Sequence, residues 1–219
     1  MKNTVLLILN LIFMNALLAQ TTSKSALILI ETQNEWMHPK GKLNKALIQD
    51  PQMMQNSIAN IEKALQFARE QNMEVIHVGL RFKKGYPEMG EAKAGLRKAI
   101  PNAGTFQENE FGAAFFETVQ PIANEFVISG RTGASGFTGS NLDIYLRNNK
   151  IDTLYLVGYA THVCIESTFR DAHEKGYHTL VISDATSAFN QMQQDYFLSE
   201  IVHHFGQKLT TDEFIHSNF

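Results

Sequence analysis

The chain contains a single cysteine, Cys164, placed where an apolar run gives way to a helix-forming segment. Leu154-Tyr155-Leu156-Val157 suits a strand buried on both faces. Gly158 breaks the run, and His162 to Lys175 reads as a helix that Gly176 stops. Cys164 then falls in the first helical turn. A helix N-terminus carries partial positive charge and unpaired N–H groups. Both favour a thiolate over a thiol, and the same N–H groups can hold the oxyanion formed when a thiolate attacks a carbonyl. The structural alternative is a small buried hydrophobe, the commoner fate of a lone cysteine.

The elements that would position this cysteine alternate. Ala26 to Ile30 is a short buried strand that ends at Glu31. Asn34 to Asp50 is polar and reads as a loop. Ile58, Ile61, Leu65 and Ala68 repeat at helical spacing, so Gln52 to Asn72 is a helix opened by Pro51. Val75 to Val78 is the second strand. Arg81 to Gly112, rich in glycine, proline and charge, is a long excursion with a short helix near Glu88 to Lys98. Loops of that length are usually functional. Phe126 to Ile128 is the third strand, followed by a glycine-rich turn from Gly130 to Gly139 and a helix from Asn141 to Asn149. Thr153 to Val157 is the fourth strand and Thr179 to Ser183 the fifth. Gln191 to Phe205 is a helix and Gln207 to Thr210 a last short strand. Such alternation predicts an α/β fold of three layers, α/β/α, with a six-stranded, mainly parallel, Rossmann-like sheet. Ligands of open sheets bind beyond the carboxyl ends of the strands. Glu31, Arg131 and Cys164 each follow a strand end, so their convergence is a structural expectation.

Composition narrows the partners. Hydrophobic residues make up 44% of the 219, and the formal net charge is −3. Nothing there suggests nucleic acid or an anionic membrane as a partner. Residues 1–19 differ from the rest: Lys2, an apolar run from Val5 to Phe13, then Ala16-Leu17-Leu18-Ala19. That is the layout of a signal peptide cleaved after Ala19, too short to span a bilayer comfortably. The expectation is an exported, periplasmic or secreted protein of one domain, residues 20–219, with no stable membrane insertion after cleavage. With no second cysteine, export leaves a free thiol in an oxidising compartment, which favours a chemical role for it.

Three stretches together resemble the isochorismatase-like cysteine hydrolases. They are Gly158-Tyr159-Ala160-Thr161-His162-Val163-Cys164 with Asp171-Ala172, Gly176-Tyr177 and Ser183-Asp184-Ala185; Ser135-Gly136-Phe137-Thr138-Gly139-Ser140-Asn141-Leu142; and Glu31-Thr32-Gln33-Asn34. The resemblance covers roughly Ala26 to Phe214. It implies a catalytic Asp–Lys–Cys triad, with Cys164 as nucleophile; Glu31 stands at the aspartate position and Arg131 at the lysine position. Charge type is kept at both. A carboxylate base can take and return a proton from either acid, and Arg stays protonated at any working pH. The resemblance also implies a cis Tyr159–Ala160 peptide that turns the Ala160 N–H toward the Cys164 N–H as an oxyanion hole. It implies no cofactor here, because the Asp and His cluster that binds metal in some nicotinamidases is missing between Trp36 and Arg81. His38 and His77 each read as a surface or satisfied core histidine. Candidate substrate-binding residues are Gln33, Trp36, Phe82, Tyr86, Phe137, Tyr159 and His162, each aromatic being equally suited to core packing. Family members commonly assemble, which admits a homo-oligomer.

The expected function is hydrolysis of a small amide, ureide or related C–N acyl compound through a Cys164 thioester. The altered triad supports a second reading, an impaired member that binds a small molecule or serves assembly. Vinyl-ether hydrolysis of the isochorismatase type does not rely on the cysteine, and the presence of Cys164 argues against it.

Overall fold

Six parallel strands in the order β3-β2-β1-β4-β5-β6 form the middle layer of the protein. A computed structural model describes residues 24–217; the expected signal peptide lies outside the described residues. In chain order the elements are β1 (Lys24–Ile30), α1 (Asn34–Met37), α2 (Lys42–Leu47), α3 (Pro51–Glu70), β2 (Glu74–Val78), α4 (Leu96–Ala103), β3 (Phe126–Val127), α5 (Leu142–Asn148), β4 (Ile151–Tyr159), a π-turn (Thr161–Ile165) running into α6 (Glu166–Glu174), β5 (His178–Ser187), α7 (Gln191–Tyr196), a second π-turn (Phe197–Ile201), α8 (Val202–Phe205), β6 (Gln207–Leu209) and α9 (Thr211–Ile215). No described helix is long and apolar enough to cross a membrane.

Strand alternation divides the core in two. Leu27 and Leu29 of β1, with Val157 of β4, face Ile61 and Leu65 of α3 and Phe214 of α9. Ala26, Ile28 and Ile30, with Leu154 and Leu156, face Leu142 and Leu146 of α5 and Phe169 of α6. These two clusters are the interfaces of a three-layer α/β/α sandwich. Helix α3 begins where the sequence says it should: Pro51 occupies its first turn, and the Asp50 carboxylate caps it, accepting from the Met53 N–H at 2.9 Å.

The expected six-stranded sheet is present, and all of its strand pairs are parallel. Several details of the elements differ from expectation. The stretch expected to be a loop after Asn34 contains α1 and α2. The excursion helix lies further along the chain than expected: Gly95, with φ 68°, precedes Leu96, and Gly104, in the left-handed region, ends it. The expected helix from Gln191 to Phe205 is present, loosened by a π-turn in its middle. Gly158 does not break the apolar run. Strand β4 continues through it to Tyr159, and the register with β5 shifts between Leu156 and Gly158. At φ 116°, Gly158 lies so close to β1 that a Cβ would stand 1.9 Å from the Ile30 carbonyl oxygen. Only glycine allows β1 and β4 to approach here.

That approach is where the strand order turns. Chain order runs outward from β1 to β3 on one side and from β4 to β6 on the other, so the crevice beyond the carboxyl ends of β1 and β4 is the topological switch point. Gly158→Ala is expected to destabilise the protein by about 3 kcal/mol or more, combining steric overlap with an unfavourable φ. Denaturant unfolding of the two proteins measures it, and a difference under about 1 kcal/mol, within ordinary single-mutation effects, would contradict the close-approach argument.

Candidate active site

Glu31 leaves β1 in a left-handed conformation, φ 51°, uncommon for a residue other than glycine. Its N–H donates to the Val78 carbonyl of β2 at 2.9 Å. Its side chain is 1% exposed and fully met: Oε1 accepts from Arg131 Nη2 at 2.8 Å and Oε2 from Trp36 Nε1 at 2.7 Å. Trp36 belongs to α1, the short helix the sequence pattern concealed.

Arg131 follows β3 and is also buried. Its guanidinium is caged by main-chain carbonyls. Nε donates to Gly133 O at 3.0 Å and Ser135 O at 3.3 Å, Nη1 to Val78 O at 3.3 Å, and Nη2 to Ala134 O as well as to Glu31. The glycine-rich turn therefore curls around the cation, with Thr132 N–H donating to Thr138 O to close it.

Cys164 lies in the π-turn after β4, 5% exposed. The peptide joining Tyr159 to Ala160 is cis. The Ala160 carbonyl accepts from the N–H groups of Val163 and Ile165, and Thr168 Oγ1 on α6 donates to the Cys164 carbonyl at 2.7 Å. The thiol lies close enough to Glu31 and Arg131 to feel both charges. Its pKa is raised well above the ordinary thiol value, first by burial and next by the Glu31 charge, with Arg131 opposing. This corrects the expectation of a depressed pKa at a helix start: desolvation and a facing carboxylate outweigh the field of one loose helical turn. The resting cluster is a thiol facing a carboxylate that is itself paired with a guanidinium.

Above the three residues lies a cavity of about 780 Å³ bordered by Glu31, Cys164 and Trp36 at its base, by Leu80, Val163 and Phe189, and by one face of α4. Of the seven candidate pocket residues, Trp36 alone borders it. Gln33 is fully buried: its Nε2 donates to Leu80 O and Ala113 O, and its Oε1 accepts from Leu80 N–H. Phe82 is 0% exposed and packs against Tyr86, whose hydroxyl donates to Thr105 O. Tyr159 is a core residue sharing a 3.0 Å hydrogen bond with Ser57 of α3. Phe137 stacks on Tyr177 at 5.8 Å, on the other face of the sheet. His162 meets Phe189 edge-on at 4.5 Å and supports that wall from behind. Phe189, which also stacks on Trp36 at 5.7 Å, escaped the sequence reading. The available signal was its position just past the end of β5, where ligand-facing residues collect.

Among the described residues no group of three or more His, Cys, Asp or Glu is placed to hold a metal ion. His77 is a core residue hydrogen-bonded to Glu125 at 2.8 Å.

The geometry makes a specific demand on thiol reactivity. In the wild-type protein, the rate of Cys164 alkylation by iodoacetamide against pH is expected to have its midpoint above the free-thiol value of about 8.5. Glu31→Gln removes the negative charge and leaves Arg131, so the midpoint should move down. A midpoint that stays or rises in the variant would show that the carboxylate does not face the thiol.

The Isochorismatase domain model matches residues 25–213. Ureidoacrylate amidohydrolase RutB of Stutzerimonas stutzeri (strain A1501) is 32% identical over 212 residues, covering 91% of this chain and 85% of that protein. A cysteine hydrolase from Pseudomonas syringae pv. phaseolicola 1448A superposes with a TM-score of 0.74 at 25% identity, covering 88% of this chain and 91% of its own. N-carbamoylsarcosine amidase from Thermoplasma acidophilum shares the fold, with a TM-score of 0.67 at 24% identity over 86% of this chain and 97% of its own. Matched from its first strand into its last helix, the chain belongs to the isochorismatase family.

Proposed function

We propose that the protein is a cysteine hydrolase that cleaves the C–N bond of a small amide, ureide or related acyl compound. The observation that carries this reading is the thiol of Cys164 beside the buried Glu31–Arg131 ion pair, with Cys164 and Glu31 both bordering one cavity. The named activities of the amidohydrolase relatives support it.

The chemistry follows from the resting protonation. A thiol facing a carboxylate is one proton transfer from a thiolate facing a carboxylic acid, so nucleophile and acid form in the same step. The thiolate attacks the substrate carbonyl, and the oxyanion is met by the N–H groups of Ala160 and Cys164. Glu31 gives its proton to the departing nitrogen, the C–N bond breaks, and a thioester remains. Water then attacks the thioester, losing a proton to Glu31. The acid leaves, and that proton returns to Cys164. Arg131 transfers none; it holds Glu31 and offsets the negative charge the site carries throughout. Residues 1–19 support export of the same protein, with cleavage after Ala19.

Ammonia release from a panel of small amides and ureides tests the reaction. Cys164→Ala should lose activity by about 10³-fold or more while remaining folded; a variant keeping about a tenth of wild-type activity, far above any acid–base or nucleophile loss, would remove the nucleophile assignment. Glu31→Gln should cost on the order of 10²–10⁴-fold. Glu31→Asp withdraws the carboxylate by about 1.5 Å, one carbon–carbon bond, and misplacement near 1 Å costs about 10²-fold. Arg131→Lys in the same protein should recover part of that loss, and strictly additive effects in the cycle would show the pair uncoupled. For export, N-terminal sequencing of protein recovered outside the cytoplasm should begin at Gln20.

A further inference from the structure

Helix α4 presents Leu96, Ala99, Ile100 and Ala103 to the cavity, an apolar stripe at helical spacing. Such a stripe normally packs into a core. Here only Ile100 is buried; Leu96 is left 43% exposed, and Ala99 and Ala103 are exposed as well. Glycines with positive φ at both ends, Gly95 and Gly104, set the helix across the cavity mouth. The opposing wall is equally apolar: Leu43 and Leu47 of α2, Leu80, Val163 and Phe189. An apolar cavity of this size with a nucleophile at its base is shaped for a small molecule that is itself largely apolar.

The charges point the same way. Among the described residues bordering the cavity, the charged ones are Glu31 at the base and Glu88 and Arg97, both exposed to solvent. Arg131 stands behind Glu31 with its N–H groups engaged by Glu31 and the carbonyls of Val78, Gly133, Ala134 and Ser135. A carboxylate carried deep into this pocket would lose its water, meet the Glu31 charge and find no free cation at the base, Arg97 being exposed to solvent. Neutral polar groups have partners available in Thr132 and Thr138.

We propose that the substrate is an uncharged amide or ureide bearing an apolar chain or ring of several carbons, which lies along the inner stripe of α4 while its carbonyl meets Cys164. This rests on the C–N hydrolase reading and states which compounds that site takes. Ureidoacrylate, the substrate named for the relatives, carries a carboxylate and is expected to be a poor one here.

Wild-type protein is offered two probe sets. The first runs from acetamide to octanamide, with a matched set of N-alkyl acetamides lengthened on the nitrogen. The second pairs ureidoacrylate with its methyl ester. Binding is measured by calorimetry and turnover by release of ammonia or amine. Affinity should rise by about fourfold per methylene in one of the two homologous sets until the stripe is covered, and the ester should bind at least about tenfold better than the acid, an unpaired buried charge being costly. Leu96→Gln, at a half-exposed position where folding is not at stake, should flatten the slope. A flat or falling slope in both sets, no binding by any member, or preference for the acid overturns the proposal. Graded binding without turnover would keep this assignment and remove the hydrolase reading; turnover with no gradation would do the reverse.

Discussion

Two opposite charges with side chains each 1% exposed hold this structure's functional end together. Removing ions from water is expensive, and their mutual attraction offsets that cost only when the remaining donors and acceptors are also met. Here they are. The Glu31 carboxylate accepts from Arg131 and Trp36, and the Arg131 guanidinium spreads its donors over four main-chain carbonyls besides. Those partners come from the ends of β1, β2 and β3, from α1 and from the turn after β3. Satisfying one ion pair therefore fixes the relative placement of three strand ends and the loop between them. The site is a consequence of how this pair is solvated by the protein.

The same pair explains why arginine suits the position to which the resemblance assigns a lysine. A guanidinium offers five N–H donors in a planar fork; an ammonium offers three from one point. The cage around Arg131 presents one carboxylate oxygen and four carbonyls, more acceptors than lysine could serve. Glutamate in place of aspartate reaches one methylene further into the crevice, where it meets the thiol on one side and the Trp36 indole on the other. Glu31 and Arg131 together keep the total charge and the proton count that an aspartate–lysine pair would have. This pairing also accounts for the resting thiol. The guanidinium charge is already shared with Glu31, so little of it is left to stabilise a thiolate in a buried site. In the proposed reaction, activation comes from moving the proton to Glu31, not from a cysteine ionised in advance.

How far the sequence could be read depends on which physical signal each residue carried. Strand ends were legible because runs such as Ala26 to Ile30 are apolar on both faces, and chemistry-bearing residues just past them converge by topology. Glu31, Arg131 and Cys164 fall together for that reason. The aromatic candidates were not legible. Phe82 and Tyr159 satisfy a core as well as they would a pocket, and only packing decides; both are 0% exposed. Gly158 looked like a breaker because its side-chain freedom was visible while the neighbour demanding it, the Ile30 carbonyl, was not. The excursion helix was placed too early because the charged residues from Glu88 onward looked helical, whereas its start is fixed by Gly95 and by the cavity its apolar face borders.

Catalytic floor and substrate wall thus have different origins. The floor is sheet: three strand ends bound by one ion pair. The wall is largely the excursion after β2, which no strand pairing supports, and it needs anchors of its own. Gln33, three residues past β1, supplies one, since its amide bonds both Leu80 at the start of the excursion and Ala113 at its close. Phe82 supplies another through paired main-chain bonds with Phe106 and Glu108, and the Tyr86 hydroxyl a third through Thr105. Residues that look like substrate contacts in the sequence are instead what holds the pocket wall against the sheet. These anchors do not involve the exposed Leu96 and Ala99 of α4, so under the proposed reading a chain with this floor can change the compound it accepts by altering those two residues without disturbing the buried charges below.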